Sequence, residues 1–309
     1  MKDLLDLIGK TPLLELRHCA PKPGVRLLAK VEGHNPTGSI KDRVVAFMVE
    51  GARARGVLKP GQEIVEATTG NTGIALAMAG KRLGHPVCVV VPEAVYPGVI
   101  PVLEAFGARI VRTASNLGIR SALDVARELA EREGGYFLNQ FGSPENPACH
   151  YQTTAVEILA DCPSVDVFVC GLGTGGTIMG VGRRLKENRP DVRLLAAEPH
   201  PGDQLQGLRS MEDGFLPPIL DLSLLDGKIV VTADSAFRAV REIALREGLL
   251  VGPSSGAVMH AALKWAQRIE RATVVLMFAD SGWKYVGSPM LKQAEWPTGE
   301  DDADDVLWW

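Results

Sequence analysis

Apolar runs of strand length alternate with helix-period segments along most of the chain, and this alternation limits the folds available to it. Residues 86–91, Pro-Val-Cys-Val-Val-Val, form a run with no polar face. Ile64-Val65-Glu66 precedes a glycine-rich turn, and residues 74–79 then follow a helical period. The pattern continues with a helix over 102–106, a strand over 108–111, a helix near 121–132 and a strand over 135–138. A second series places strands at 165–170, 192–197, 229–231 and 273–278, with helices at 177–187, 233–247 and 257–269. Strands that are apolar on both sides need cover on both faces, which predicts parallel sheets beneath helices. The polar, Pro- and Gly-containing stretch 139–149 separates the two series. We therefore expect an α/β protein of two doubly wound domains with a cleft between them. Residues 36–145 would form the first domain. Residues 1–35 plus 146–299 would form the second, leaving 300–309 as an acidic tail ending in Leu-Trp-Trp.

Composition excludes several classes. A net charge of −4 offers nucleic acid no electrostatic footing. No apolar run is long enough to span a bilayer. Met1-Lys2-Asp3-Leu4-Leu5-Asp6 carries two acids and no signal-peptide core, so a cytoplasmic location is expected. The five cysteines are scattered and form no CxxC pair, so neither a disulfide framework nor a metal site is expected. Cys149 stands beside His150, but neighbours in sequence usually diverge in direction, so the pair is weak evidence for a nucleophile.

Three loops carry chemistry. Asn35-Pro36-Thr37-Gly38-Ser39-Ile40-Lys41-Asp42-Arg43 puts a lysine just after a Pro/Gly turn, at the start of a helix-compatible run. That placement suits a Schiff-base lysine; the plainer reading is a surface lysine at a helix start. Thr68-Thr69-Gly70-Asn71-Thr72-Gly73 lies between strand and helix and gathers donors suited to a carboxylate; the plainer reading is an N-cap. Gly171-Leu172-Gly173-Thr174-Gly175-Gly176-Thr177 also opens a helix and reads as a phosphate cradle. It contains a G-x-G-x-x-G match, so a dinucleotide site is a rival. The place of the ribose-binding acid, however, holds a basic helix end and Asp191. Pro253-Ser254-Ser255-Gly256-Ala257 opens a further helix.

These motifs, in this order, resemble the fold-type II pyridoxal-phosphate enzymes, and among them the cysteine synthase family, particularly its B branch. The resemblance runs from Gly9-Lys10-Thr11-Pro12-Leu13 to Ala279-Asp280-Ser281-Gly282-Trp283-Lys284-Tyr285. It implies a pyridoxal 5'-phosphate cofactor held on Lys41, with Asn71 at its phenolic oxygen. It implies Gly173, Thr174, Gly175, Gly176 and Thr177 at the phosphate and Ser254 at the pyridine nitrogen. Thr68, Thr69, Gly70, Thr72 and Gln140 match residues that take the substrate carboxylate. The implied activity is β-replacement on an activated L-serine, by way of an α-aminoacrylate, giving L-cysteine. A serine at the ring nitrogen makes a milder electron sink than an acid, which suits β-elimination. A cystathionine β-synthase- or dehydratase-like lyase and a non-catalytic binding protein on the same scaffold are the alternatives.

Gly207-Leu208-Arg209-Ser210-Met211-Glu212-Asp213-Gly214-Phe215 bears on the leaving group. An arginine here resembles the subset of cysteine synthases that use O-phosphoserine. Its planar fork suits a phosphate, whereas an acetyl ester needs no cation. The plainer reading pairs Arg209 with Glu212 or Asp213. Pro201 occupies the region where the family places an aromatic neighbour, and no aromatic is evident there. Arg193 and His200 are further cationic candidates. Segment 93–102, apolar and bracketed by prolines, lacks the family's Arg-rich helix start and reads as a lid or as a dimer or partner surface. The tail resembles C-termini that close the active site of cysteine synthases supplied by a small sulfur-carrier protein's thiocarboxylate; sulfide is the simpler donor. The family also implies a homodimer.

Overall fold

The computed structural model describes residues 3–93, 96–114, 118–288, 291 and 306–308. Two sheets organise it. The smaller has four parallel strands in the order β5-β4-β3-β6: β3 (Ile64–Ala67), β4 (Val87–Pro92), β5 (Arg109–Thr113) and β6 (Tyr136–Phe137). Every residue of β3 and β4 is buried, as their unbroken apolar runs require. One face is covered by α1 (Lys41–Ala54), α2 (Asn71–Leu83) and α3 (Val99–Ala105) through Val45, Met48, Leu76 and Leu103. The other packs on α4 (Gly118–Glu133) through Ala122, Ala126 and Leu129. Burying a Val or Leu side chain contributes roughly 1.5–3 kcal/mol, so a strand covered on both faces holds more strongly than an alternating one.

The larger sheet has seven strands in the order β1-β2-β10-β7-β8-β9-β11. Its parallel centre is β2 (Val25–Val31), β10 (Ala272–Phe278), β7 (Val167–Gly171), β8 (Arg193–Pro199) and β9 (Gly227–Val231). The edges are antiparallel: β1 (Leu13–Glu15) on β2, and β11 (Val306–Trp308) on β9. The N-terminal segment thus joins the second series of strands. α8 (Ala233–Glu247) and α9 (Pro253–Ala266) cover one face, while α6 (Thr154–Asp161) and α7 (Gly176–Asn188) cover the other. The 139–149 stretch does not stay irregular, because α5 (Glu145–Gln152) begins inside it and packs on α7.

The backbone of 306–308 pairs with β9 at the sheet edge. The acidic run 300–305 and Trp309 lie outside the described residues. Among the described residues no helix is long and apolar enough to cross a membrane.

The turn before α1 is stitched to the end of β10. Ile40 N–H donates to the Ala279 carbonyl at 2.8 Å, Ser281 N–H donates to Gly38 at 3.1 Å, and Ser39 bridges Asp280. Lys41 therefore sits where the two sheets meet.

Candidate active site

A cavity of about 310 Å³ opens at this junction. Lys41, Thr68, Thr69, Gly70, Asn71, Thr72, Gln140, Gly173, Thr174 and Arg209, all singled out in the sequence, line it. Gly175, Gly176, Thr177 and Ser254 are buried and are not on its wall.

Lys41 is the first residue of α1. The turn that aims it is held by Asp42, whose carboxylate accepts from the Thr37 N–H at 2.6 Å and from the Thr37 hydroxyl. An acid in the first turn also complements the helix dipole. Desolvation pulls the Lys41 amine below its ordinary pKa, against the opposing pull of Cys170, Asp280 and Cys149. Burial thus shifts it toward the neutral form, which is both nucleophile and base.

The threonine-rich loop forms the N-terminus of α2. Thr68 Oγ1 accepts from Gly70 N–H at 3.1 Å. Thr72 Oγ1 donates to Gln140 Oε1 at 2.7 Å, and Gln140 Nε2 donates to the Ala67 carbonyl at 3.1 Å. Asn139 precedes Gln140 in a left-handed conformation, φ 58°, which asparagine tolerates better than most residues. Beneath this loop lies Glu66, which the sequence reading passed over as an ordinary strand residue. It is fully buried and accepts from the Ala67 and Gln140 N–H groups at 3.1 and 3.2 Å. Burial pushes its carboxyl up to about 8, against those hydrogen bonds.

The glycine loop turns into α7. Gly175 caps the helix at φ +85°, where a side chain would be strained. A Cβ on Gly176 would come within 2.0 Å of Asn146 Oδ1. Asn146 in turn donates to Thr174 Oγ1 at 3.1 Å and to the Gln140 carbonyl at 2.8 Å, tying the two loops together. His150 stands between Thr177 Oγ1, 3.2 Å from Nε2, and Thr154 Oγ1, 3.0 Å from Nδ1. Burial, with Lys41 and Arg43 nearby, holds its pKa well below the usual range. Cys149 is buried with its thiol pushed up to about 12, which disfavours the nucleophilic thiolate.

Arg209 occupies the far wall. Its guanidinium has no hydrogen-bond or ion-pair partner among the described residues, so neither Glu212 nor Asp213 takes it. Burial lowers its pKa, against the field of Asp213. It lies 5.4 Å from the centroid of Phe141, which meets Phe215 edge-on at 5.5 Å. The aromatic ring beside Arg209 is thus Phe141, 68 residues before it in the chain, which sequence proximity could not reveal. The Arg209 backbone is fixed by its N–H to the Leu172 carbonyl at 2.8 Å. Its loop is held by Glu198, which accepts from Met211 N–H at 3.2 Å and from Lys228 Nζ at 2.5 Å. Arg193 and His200 do not line the cavity. Segment 93–102 does: Tyr96, Gly98, Val99 and Val102 form a wall, while residues 94 and 95 lie outside the described residues.

The donor set fits a phosphorylated pyridoxal. An amine biased toward its neutral form shares one cavity with Gly173 and Thr174 of the glycine loop that leads into α7. Ser254, behind the wall, has a hydroxyl 3.8 Å from where a Cβ on the lining residue Gly207 would stand. The family model for pyridoxal-phosphate dependent enzymes matches residues 4–280. The chain belongs to that family. It is 35% identical over 300 residues to cysteine synthase B of Salmonella typhimurium, covering 97% of this chain and 99% of that one. An O-ureido-L-serine synthase structure superposes with a TM-score of 0.90 at 36% identity, covering 98% of each chain. A cysteine synthase structure from Entamoeba histolytica gives 0.88 at 34% identity, covering 96% of this chain and 93% of that one. The chain is thus a pyridoxal-phosphate dependent enzyme of the cysteine synthase family, with the fold type II architecture.

Proposed function

We propose that this enzyme makes L-cysteine by replacing the β-substituent of an activated L-serine, and that the preferred substrate is O-phospho-L-serine. The observation that carries this reading is the guanidinium of Arg209, set in the cavity wall without a partner of its own. A cation drawn out of water and left unpaired is costly, and a dianionic leaving group in the same cavity would offset that cost.

The other residues divide the remaining work. The N-terminus of α2, with Thr68, Thr69, Gly70 and Thr72, receives the substrate carboxylate, and Gln140 is oriented toward it by Thr72 and Ala67. Lys41 holds the cofactor and, when free, takes the α-proton. Gly173 through Thr177 hold the phosphate at the N-terminus of α7. Ser254 faces the ring nitrogen, and Asn71 faces the phenolic oxygen. When bound, pyridoxal phosphate supplies the electron sink that lets the β-substituent depart. The sulfur comes from sulfide or from a carrier protein's thiocarboxylate, and the working unit is a homodimer.

The test is parallel turnover of O-phosphoserine and O-acetylserine with sulfide, for wild type and Arg209→Ala. Losing charge-assisted bonds to a phosphate should lower kcat/KM for O-phosphoserine about ten- to a hundredfold. The loss on O-acetylserine should stay under about threefold, because that ester leaves no dianion for the arginine to hold. Equal losses, or a strong wild-type preference for O-acetylserine, would contradict the role given to Arg209.

A further inference from the structure

Lys284 lines the same cavity as Lys41, and the proposed chemistry leaves it without a task. It follows the exposed Trp283 in a short 3-10 turn (Gly282–Tyr285) capped by Ser281. Its Nζ donates to Asn71 Oδ1 at 2.6 Å. On the other side of the same amide, Asn71 Nδ2 donates to Asp280 Oδ2 at 2.8 Å. That oxygen also accepts from the Tyr285 hydroxyl at 2.6 Å, and the Tyr285 ring lies 5.8 Å from the Tyr96 ring in the cavity wall. An ammonium carries only donors, so the amide oxygen must face Lys284 and the amide nitrogen must face Asp280. Chemistry thus selects one of the two amide orientations. Nδ2 keeps a second N–H, on the side of the Tyr285 hydroxyl and of the cavity that Asn71 and Tyr285 both line.

We infer that Lys284 is a positioning residue for Asn71: by holding the amide oxygen, it presents the amide nitrogen as a fixed donor to the cofactor's phenolic oxygen. The inference rests on the reading above that Asn71 faces the cofactor. The charged and titratable groups around Lys284 are Asp280 and Asp42, with Tyr285 beyond Asp280 and Lys41 across the cavity. Burial lowers the Lys284 pKa, while the two carboxylates work to keep it charged. Gly38 leaves room for the lysine stem, since a Cβ there would stand 3.3 Å from Lys284 Cε. The turn that aims Lys41 and the side chain that orients Asn71 are therefore packed on each other.

The experiment uses holoenzyme and four variants: Asn71→Ala, Lys284→Met, the double variant and Lys284→Arg. The readouts are the absorbance maximum of the bound cofactor, the pH midpoint of that band and the dissociation constant for pyridoxal phosphate. Lys284→Met should shift the band and its midpoint in the same direction as Asn71→Ala. It should weaken cofactor binding roughly tenfold, the scale of one lost hydrogen bond. Lys284→Arg, which keeps a donor in reach, should restore wild-type values. The double variant should match Asn71→Ala alone, because a residue acting through Asn71 has nothing left to act on. Additive effects in the double variant, or a wild-type spectrum in Lys284→Met beside a shifted Asn71→Ala, overturn the inference alone. An Asn71→Ala protein with the wild-type band and affinity overturns the reading of Asn71 itself. Should Lys284→Met fail to fold, Lys284→Leu, which also removes the donor, carries the same comparison.

Discussion

Lys41 and Lys284 meet in one cavity, yet their surroundings prepare them for different work. Lys284 is held by an amide oxygen between two carboxylates, while Lys41 is desolvated at the start of α1 with no hydrogen bond from its amine among the described residues. A third buried ionisable group, Glu66, sets a pH dependence of its own. Its folded pKa of about 8 lies above the ordinary carboxyl value of 4.5. Between those values the folded protein keeps a proton that the unfolded chain has lost. Its contribution is therefore fully present below about pH 4.5, falls as pH rises and levels off above about 8. The slope is at most about 1.4 kcal/mol per pH unit. In thermal melts from pH 4 to 9, the stability difference between wild type and Glu66→Gln should drift against wild type across that window. Parallel curves would show that Glu66 titrates normally. The sequence offered one signal for this residue, an acid inside an otherwise apolar strand, but only the fold shows that the loop N–H groups converge on it.

At the scale of elements, the α7 N-terminus is the most constrained junction. Gly176→Ala would drive a methyl group into Asn146, which links the phosphate loop to the Gln140 loop. Overpacking of this kind costs roughly 1–3 kcal/mol. Since the displaced atoms are the cradle itself, affinity for pyridoxal phosphate should fall at least about tenfold. A cofactor titration of Gly176→Ala that matches wild type would contradict a tight cradle. Elements with strong periodicity were legible in the chain: α8 coincides with its expected bounds, and β4 with its apolar run shifted by one residue. α5 was not, because Pro147 and its polar neighbours read as loop while tertiary packing on α7 makes them helical. The edge pairing of β11 depends on β9, some 75 residues earlier, and no local pattern announces it.

Across the whole molecule, a buried ion cluster braces the sheet junction behind the cavity. Arg43, two residues after Lys41, bonds Glu32 at 2.7 and 2.9 Å and Glu157 at 2.7 Å through both terminal nitrogens. Lys30 in β2 donates to Glu157 at 2.7 Å, so two cations balance two anions drawn from β2, the turn after it, α1 and α6. Burial alone would raise Glu157, but the hydrogen bonds from Arg43 and Lys30 outweigh it and bring its pKa to about 2. A depressed acid stabilises above its unfolded pKa near 4.5 and loses that contribution as pH falls toward 2. Glu157→Gln should therefore cost up to about 3 kcal/mol at pH 7, by leaving buried cations unpaired, and the gap to wild type should close in acid. Urea titrations at pH 7 and pH 3 measure both. The two sheets, each under helices on both faces, and the order of the site loops could be read from the chain. The convergence of Phe141, Arg209, Lys284 and Tyr96 on one cavity could not, because it depends on contacts between segments far apart in sequence.

Lys41 is the amine proposed to carry the cofactor, but among the described residues two lysines, Lys41 and Lys284, line the cavity. Borohydride reduction of the holoenzyme, followed by peptide mapping by mass spectrometry, fixes pyridoxal phosphate to the amine it was bound to. The reduced adduct is expected on Lys41 and should be absent from the Lys41→Ala protein. An adduct on Lys284, or none on Lys41, would contradict that assignment.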